Sequence, residues 1–154
     1  MIGFGYDSHR FQPEGKLLLG GEEITSKFGV IAHSDGDALL HSLIDALLGA
    51  AGLGDIGTHF PDNDEKYKNA DSMELLKETL LLIKIYKIIN IDITLLLEKP
   101  KLAPYKEKIR NNIANICHLD IQRVSIKAKS NEGMGFIGRN EGVACYCICQ
   151  IEER

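Results

Sequence analysis

The sequence contains no apolar run approaching the roughly 20 residues needed to cross a bilayer, and no basic segment followed by an apolar stretch and a cleavage site. A soluble, unexported, cytoplasmic protein with no membrane partner is therefore expected. Positive charge is not in excess either. Eighteen basic residues stand against 22 acidic ones, a formal net charge of −4, which argues against broad capture of nucleic acid and makes any phosphate binding local. No internal repeat, low-complexity tract or Pro/Ser-rich linker interrupts the chain, and 154 residues with 44% hydrophobic content suit one domain, residues 1–154, with a real core.

Cysteine is scarce, with only four in the chain. Cys145, Cys147 and Cys149 alternate along a β-like segment, so their sulfurs share one face of one strand. Neighbours two apart on a strand are poorly placed for a disulfide. Small apolar filling of a sheet face, in a reduced setting, is the expected role for this trio, with Cys117 apart from it.

What is present reads as alternating elements. Residues 1–7 alternate and end in a polar cluster. Gly20-Gly21 between residues 16–19 and 22–24 signals a two-residue hairpin. Residues 37–51 are helix-like and apolar on nearly every side, with Ser34 and Asp35 available as caps. A long polar loop, 52–70, contains Phe60-Pro61-Asp62, and long loops in compact domains are often functional. Asp71 and Glu74 form a capping-box pattern opening a helix to about residue 87, followed by a buried strand over 90–97. Pro104 suits the first turn of a third helix, in which Tyr105, Ile109, Ile113 and Ile116 recur at helical spacing. Strands over 123–129 and 142–151 complete the order. It predicts an α/β (α+β) sandwich, a mixed β-sheet with helices packed on one face plus a small N-terminal hairpin.

Asp7 and His9, two apart at the end of a strand, point to the same side and can converge on one ion. His41 stands in the middle of the apolar helix, with Asp37 four residues before it and Asp45 four after, one polar stripe. Two imidazoles and one carboxylate leave one position of a tetrahedron open, as in catalytic rather than structural zinc sites. Asp45 could then orient His41 by accepting its second ring N–H. The competing reading is that Asp7 and His9 decorate a strand end and Asp45 simply pairs with His41.

Anion-binding candidates are also present. His33-Ser34-Asp35-Gly36-Asp37 precedes the buried helix, where free N–H groups favour anions, although an ordinary N-cap turn has the same sequence. The spacing Gly133-x-Gly135-x-x-Gly138 suggests a dinucleotide fingerprint, but that motif requires a helix inside a βαβ unit, and here a β-like segment follows. A glycine-rich turn between two strands fits better, with Lys129, Ser130, Glu132 and Arg139 available to a phosphate or metal. Lys99-Pro100-Lys101 follows a buried strand, where a rigid proline could present backbone groups to a flat ring, or could simply form a solvated turn.

Taken together, Gly5-Tyr6-Asp7-Ser8-His9, His33-Ser34-Asp35-Gly36-Asp37 with His41, Gly54-Asp55-Ile56-Gly57 through Phe60-Pro61-Asp62, and Gly135-Phe136-x-Gly138-Arg139-x-Glu141-Gly142 resemble the methylerythritol cyclodiphosphate synthases over essentially the whole chain. The resemblance implies a homotrimer with active sites at the subunit interfaces and an apolar channel on the threefold axis. It implies Asp7, His9 and His41 as zinc ligands, and Glu132 as ligand of a second divalent ion, Mg2+ or Mn2+. His33 and Ser130 match the positions that steady the transition state. Ser34, Asp55, Ile56, Gly57, Phe60, Pro61, Asp62, Asn63, Asp64, Phe136 and Arg139 match contacts to the methylerythritol phosphate. Leu97, Glu98, Lys99, Pro100, Lys101, Leu102 and Ala103, with Ala128, Lys129 and Asn131, match a cytidine pocket contributed by the neighbouring subunit. The chain departs from the family's usual pattern at Lys129-Ser130, where many members carry threonines, and at Phe4, where some carry an axial histidine.

The implied reaction converts 4-diphosphocytidyl-2-C-methyl-D-erythritol 2-phosphate to a cyclic diphosphate with loss of CMP, in the non-mevalonate route to isoprenoid precursors. Two other readings stand beside it. One is a zinc hydrolase that uses the same Asp, His, His set to activate water. The other is a trimeric binding module with a structural metal, which requires four protein ligands where only three are nominated.

Overall fold

The computed structural model describes residues Met1–Arg154. The chain forms β1 (Ile2–Gln12), β2 (Leu17–Leu19), β3 (Glu22–Ile24), β4 (Gly29–Val30), helix α1 (Ala38–Ala50), a single turn α2 (Ile56–His59) and α3 (Ser72–Leu82). It continues through β5 (Tyr86–Leu96), α4 (Lys106–Ile116), β6 (Val124–Lys129), a short α5 (Gly135–Gly138) and β7 (Gly142–Glu153). No helix is long and apolar enough to cross a membrane.

Five strands make one mixed sheet in the order β4-β1-β7-β5-β6, antiparallel except for the β5–β6 pair. Alternation along β7 shows which face is covered. Cys145, Cys147, Cys149 and Ile151 are buried while Tyr146, Ile148 and Gln150 are exposed. The cysteines carry no disulfide, and burial pushes the Cys145 thiol up to about 12 and that of Cys149 to about 11. They fill space as neutral thiols, as the alternation suggests.

Helix α1 lies on this buried face, over β1 and β7, with α3 packed on α1 and α4 against β6. Leu and Ala supply its high helix propensity, and eleven of its residues are buried. Two glycines make the approach possible. A Cβ on Gly5 would sit 1.9 Å from the Ser42 carbonyl oxygen, and one on Gly3 would sit 1.8 Å from that of Ala46. The strand backbone therefore runs directly against the helix backbone, with no side chain between them.

Asp37 caps α1 and is fully buried. Its carboxylate accepts N–H bonds from Leu40 at 3.0 Å, Gly20 at 2.9 Å and Gly21 at 2.8 Å. This corrects the expected polar stripe, because Asp37 faces the β2–β3 turn and not the ligand side of His41. The turn itself has Gly20 and Gly21 at φ 63° and 75°, the left-handed conformation a two-residue hairpin demands. Asn112 of α4 donates to the Gly20 carbonyl at 3.1 Å, so the hairpin bridges α1 and α4.

Two expectations are corrected. Helix α3 stops at Leu82 and β5 begins at Tyr86, where Tyr86 and Lys87 pair with Glu153 and Glu152 of β7. No Gly or Pro marks that change, and pairing with the far end of β7 overrides the local helical pattern. The connection after β6 is no hairpin, because β5 lies between β6 and β7 and the link contains the helical turn α5.

Gly5→Val should be among the most damaging substitutions in the strand. Forcing side-chain volume into this backbone contact should lower stability by at least about 1–3 kcal/mol, read as a fall in the urea midpoint followed by far-UV circular dichroism.

Candidate active site

Strand β1 turns its odd residues toward α1, so Asp7 and His9 continue the row that Gly3 and Gly5 begin. The close approach at Gly5 sets the neighbouring turn of α1, with His41, over that row. Asp7 Oδ2 lies 2.8 Å from His9 Nε2 and 3.1 Å from His41 Nδ1, and the two nitrogens are 3.4 Å apart. Zn–N and Zn–O bonds of about 2.0–2.2 Å place neighbouring ligands about 3.3–3.6 Å apart in a tetrahedron, so the triangle is close to one face of such a site. A carboxylate oxygen and two imidazole nitrogens meeting at one point also have more lone pairs than protons to share, which is the chemistry of a cation site. These three form the only cluster of its kind in the chain, and no fourth ligand joins them.

Electrostatics tie the three together. Burial alone would raise the Asp7 carboxyl, but hydrogen bonds from His41 and His9, with their charge, outweigh it and hold Asp7 at about 2. Burial alone would lower the His41 imidazole. The Asp7 bond, with the charges of Asp7, Asp37 and Asp35, outweighs that and raises it above 6.5.

The triad opens into a pocket of about 180 Å3 that also takes in His33, Ser34, Asp45, Ile56, Gly57, Phe60, Asp62, Tyr67 and Leu75. Asp55 caps α2 from outside, accepting from the Thr58 N–H at 2.9 Å and the Thr58 hydroxyl at 2.7 Å. Asp64 likewise caps the next turn through the Lys66 N–H at 2.9 Å. Pro61 and Asn63 lie in the same loop but do not line the pocket. Phe136 lines an adjoining hollow of about 180 Å3 with Ser8, His9 and Glu141. Arg139, largely exposed, pairs with Glu141 at 2.9 Å.

The remaining candidates gather elsewhere. Leu97 N–H donates to the Lys129 carbonyl at 3.1 Å, and Asn131 N–H donates to Glu98 at 2.7 Å. These bonds join the segment of Lys99, Pro100, Lys101, Leu102 and Ala103 to that of Ala128, Lys129 and Ser130, at the ends of the parallel strands β5 and β6. Glu132 is exposed in the turn that follows. None of these residues lines the triad pocket or the Phe136 hollow.

The expected role of Asp45 is corrected. Its Oδ1 accepts the Ile56 N–H at 2.7 Å and so ties α2 to α1. The second nitrogen of His41, Nε2, instead lies 2.8 Å from Ser72 Oγ and 3.2 Å from Ser34 Oγ. Ser72, Tyr67 and Leu75 join the site with no local pattern to mark them, and Asp35, expected as a cap or anion-binding residue, is the partner of Ser72. Ser72 follows the Asp71 cap directly, and a capping pattern says nothing about a neighbour that reaches across to another helix.

The YgbB family model matches residues 1–152. Among curated proteins, the chain is 54% identical to the 2-C-methyl-D-erythritol 2,4-cyclodiphosphate synthase of Chlorobaculum parvum, covering 99% of each chain. It is 52% identical to the synthase of the same name from Brachyspira hyodysenteriae, covering 99% of this chain and 98% of the other. Among solved structures, a 2C-methyl-D-erythritol-2,4-cyclodiphosphate synthase with CDP bound superposes with a TM-score of 0.91 at 35% identity, covering 99% of this chain and all (100%) of that one. The bifunctional IspDF of Campylobacter jejuni gives 0.95 at 46% identity, where 99% of this chain spans 42% of that longer one. With the family model matched across nearly its whole length, and relatives above 50% identity over the same span, the chain belongs to the YgbB family.

Proposed function

We infer that the protein converts 4-diphosphocytidyl-2-C-methyl-D-erythritol 2-phosphate to 2-C-methyl-D-erythritol 2,4-cyclodiphosphate with release of CMP, a step in isoprenoid precursor synthesis. The observation that carries this reading is the convergence of Asp7, His9 and His41 on a small polar pocket, in a chain about half identical to curated synthases of that name.

In the reaction, the 2-phosphate oxygen attacks the β-phosphorus of the same molecule. The bond from that phosphorus to the bridging oxygen breaks, and its electrons leave with CMP. No protein nucleophile is needed, so the residues act by holding attacker and leaving group in line and by screening charge. Asp7, His9 and His41 would hold a zinc ion, whose contribution when bound is Lewis-acid neutralisation of phosphoryl charge. Glu132 is a lone exposed carboxylate, which suits a Mg2+ or Mn2+ ion held chiefly by substrate phosphates.

His33 and Ser130 would donate to charge developing on the transferred phosphoryl group, and Arg139 would neutralise it. Ser34, Ile56, Gly57, Phe60 and Asp62, at the pocket, would hold the methylerythritol phosphate, with Asp55, Pro61, Asn63 and Asp64 of the same loop and Phe136 beside His9. The segments around Leu97–Ala103 and Ala128–Asn131 would hold cytidine.

A homotrimer with sites shared between copies is supported by two features. The cytidine segments do not face the triad pocket of their own chain. In addition, the uncovered sheet face carries Ile2, Phe4, Tyr6, Tyr146 and Ile148, each at least 40% exposed, an apolar patch of the kind that marks an interface. Free, buried cysteines suit a cytoplasmic setting.

Zinc- and magnesium-loaded protein incubated with the substrate should give CMP and a ring product with two coupled diphosphate resonances in the phosphorus spectrum. A linear diphosphate would instead identify a hydrolase. His41→Ala should lose both zinc retention and turnover while keeping its circular dichroism, and full activity without zinc would remove the metal's role.

Mixing tests site sharing. Inactive His41→Ala and inactive Glu132→Ala chains, refolded together in equal amounts, should regain activity in about a quarter of sites if each site draws its halves from two copies of a ring. No recovery would place both halves in one chain.

The contribution of Asp7 and His41 to the stability of the metal-free protein follows from their two shifts. Asp7, held at about 2 against an ordinary 3.8, adds stability that is present above 3.8 and lost as pH falls toward 2. His41, raised above 6.5, adds stability that is complete below 6.5 and lost as pH rises through its folded value. The melting temperature gained from this pair, read as the difference from an Asp7→Ala variant, should therefore be largest between about 4 and 6.5. Zinc requires a neutral His41, so its affinity should climb with pH through the same upper range, with proton release seen by calorimetry in two buffers.

A further inference from the structure

We propose that Ser72, with Asp35 behind it, is the positioning residue that fixes the tautomer of His41 and so keeps the Nδ1 lone pair aimed at the metal. The proposal rests on the metal reading above and adds two residues to it.

A neutral imidazole carries one proton, and only the nitrogen without it can bind a metal. His41 Nδ1 faces Asp7 and His9, so the metal needs the proton on Nε2. The nearest group to Nε2 is Ser72 Oγ at 2.8 Å. A serine hydroxyl can accept from Nε2–H or donate to bare Nε2, and these two choices set opposite tautomers.

Asp35 decides between them. The Ser72 hydroxyl donates to Asp35 Oδ1, and the Ser72 backbone N–H donates to Asp35 Oδ2 at 2.9 Å. A carboxylate is a stronger acceptor than an imidazole nitrogen, so the single hydroxyl proton goes to Asp35. The Ser72 oxygen is left with lone pairs toward Nε2, which then carries its proton. Nδ1 is bare.

Burial makes the arrangement directional. Ser72 is wholly buried, so water does not offer an alternative partner. Asp35 is itself held, because its Oδ1 accepts the Asp37 N–H at 3.2 Å and its own N–H donates to the Ala70 carbonyl at 3.2 Å. Ser34 Oγ, 3.2 Å from Nε2, also accepts the Gly36 N–H at 3.3 Å and sits at the pocket wall. It is a second, longer contact to the same nitrogen.

The test compares Ser72→Ala and Asp35→Asn with Thr79→Val, which removes another fully buried hydroxyl from the same helix. Zinc affinity is measured by competition with a chromogenic chelator. The His41 tautomer is read in metal-free, 15N-histidine-labelled protein carrying Asp7→Ala, which removes the carboxylate that competes for the ring proton at Nδ1, at a pH where the ring is neutral, and assigned by its absence in His41→Ala. The Asp7→Ala parent should show Nε2–H, and adding Ser72→Ala or Asp35→Asn should lose that preference, while on the wild-type background each should cost about 10–100-fold in zinc affinity. Thr79→Val should match wild type. Asp35→Asn keeps the side-chain shape while offering an amide N–H to the serine oxygen, and it carries the test if Ser72→Ala does not fold.

Wild-type zinc affinity and an unchanged tautomer in Ser72→Ala would overturn the proposal. So would a loss in Thr79→Val as large as that in Ser72→Ala, since the effect would then be general loosening of α3. A wild-type protein that binds no zinc would instead remove the metal reading, and the tautomer measurement would still decide the role of Ser72.

Discussion

Everything at the candidate site depends on the backbone contact between β1 and α1. Gly3 and Gly5 remove the side chains that would hold strand and helix apart. Only then does His41, from the helix, reach Asp7 and His9, from the strand, at hydrogen-bonding distance. A layer of ordinary side chains between the two elements would move His41 out of range of a common ion. The geometry of the candidate metal site is thus a packing result first, set by two residues outside the cluster.

The second organising element is the loop from Ala32 to Asp37. Its two carboxylates divide the work. Asp37 is turned inward to the glycine hairpin and the first turn of α1, while Asp35 is turned toward the start of α3. His33, between β4 and this anchor, is held by its own carbonyl, which accepts the Asn69 N–H at 3.0 Å, and its ring remains exposed beside the pocket. The loop is therefore tied down along its backbone and open at its side chain.

Legibility in the sequence follows the range of the interaction. The hairpin at Gly20-Gly21, the apolar helix around His41 and the Asp-x-His strand end are local patterns, and the structure holds each close to where those patterns place it. The end of α3 is not local, because Tyr86 is drawn into a strand by residues Glu152 and Glu153 more than sixty positions later. The partner of His41 escapes local reading for the same reason. Asp45 stands at helical spacing from it, whereas Ser72 lies 31 residues from His41 and 37 from its own partner Asp35. Periodicity reports neighbours on one helix, and side-chain pairing between helices leaves no such trace.

The row of cysteines bears on which ligands an ion meets. Cys145 stands directly across from Asp7 in the sheet, the soft donor nearest the site by register. A thiolate there would compete for a borderline-soft ion and feed it electron density, making it a weaker electrophile. Burial keeps that sulfur protonated, at about 12, and the negative charges of Asp37 and Asp7 push in the same direction. The apolar layer beneath the sheet therefore presents its sulfur as neutral thiols, and no cysteine joins Asp7, His9 and His41, whose cluster offers nitrogen and oxygen donors alone.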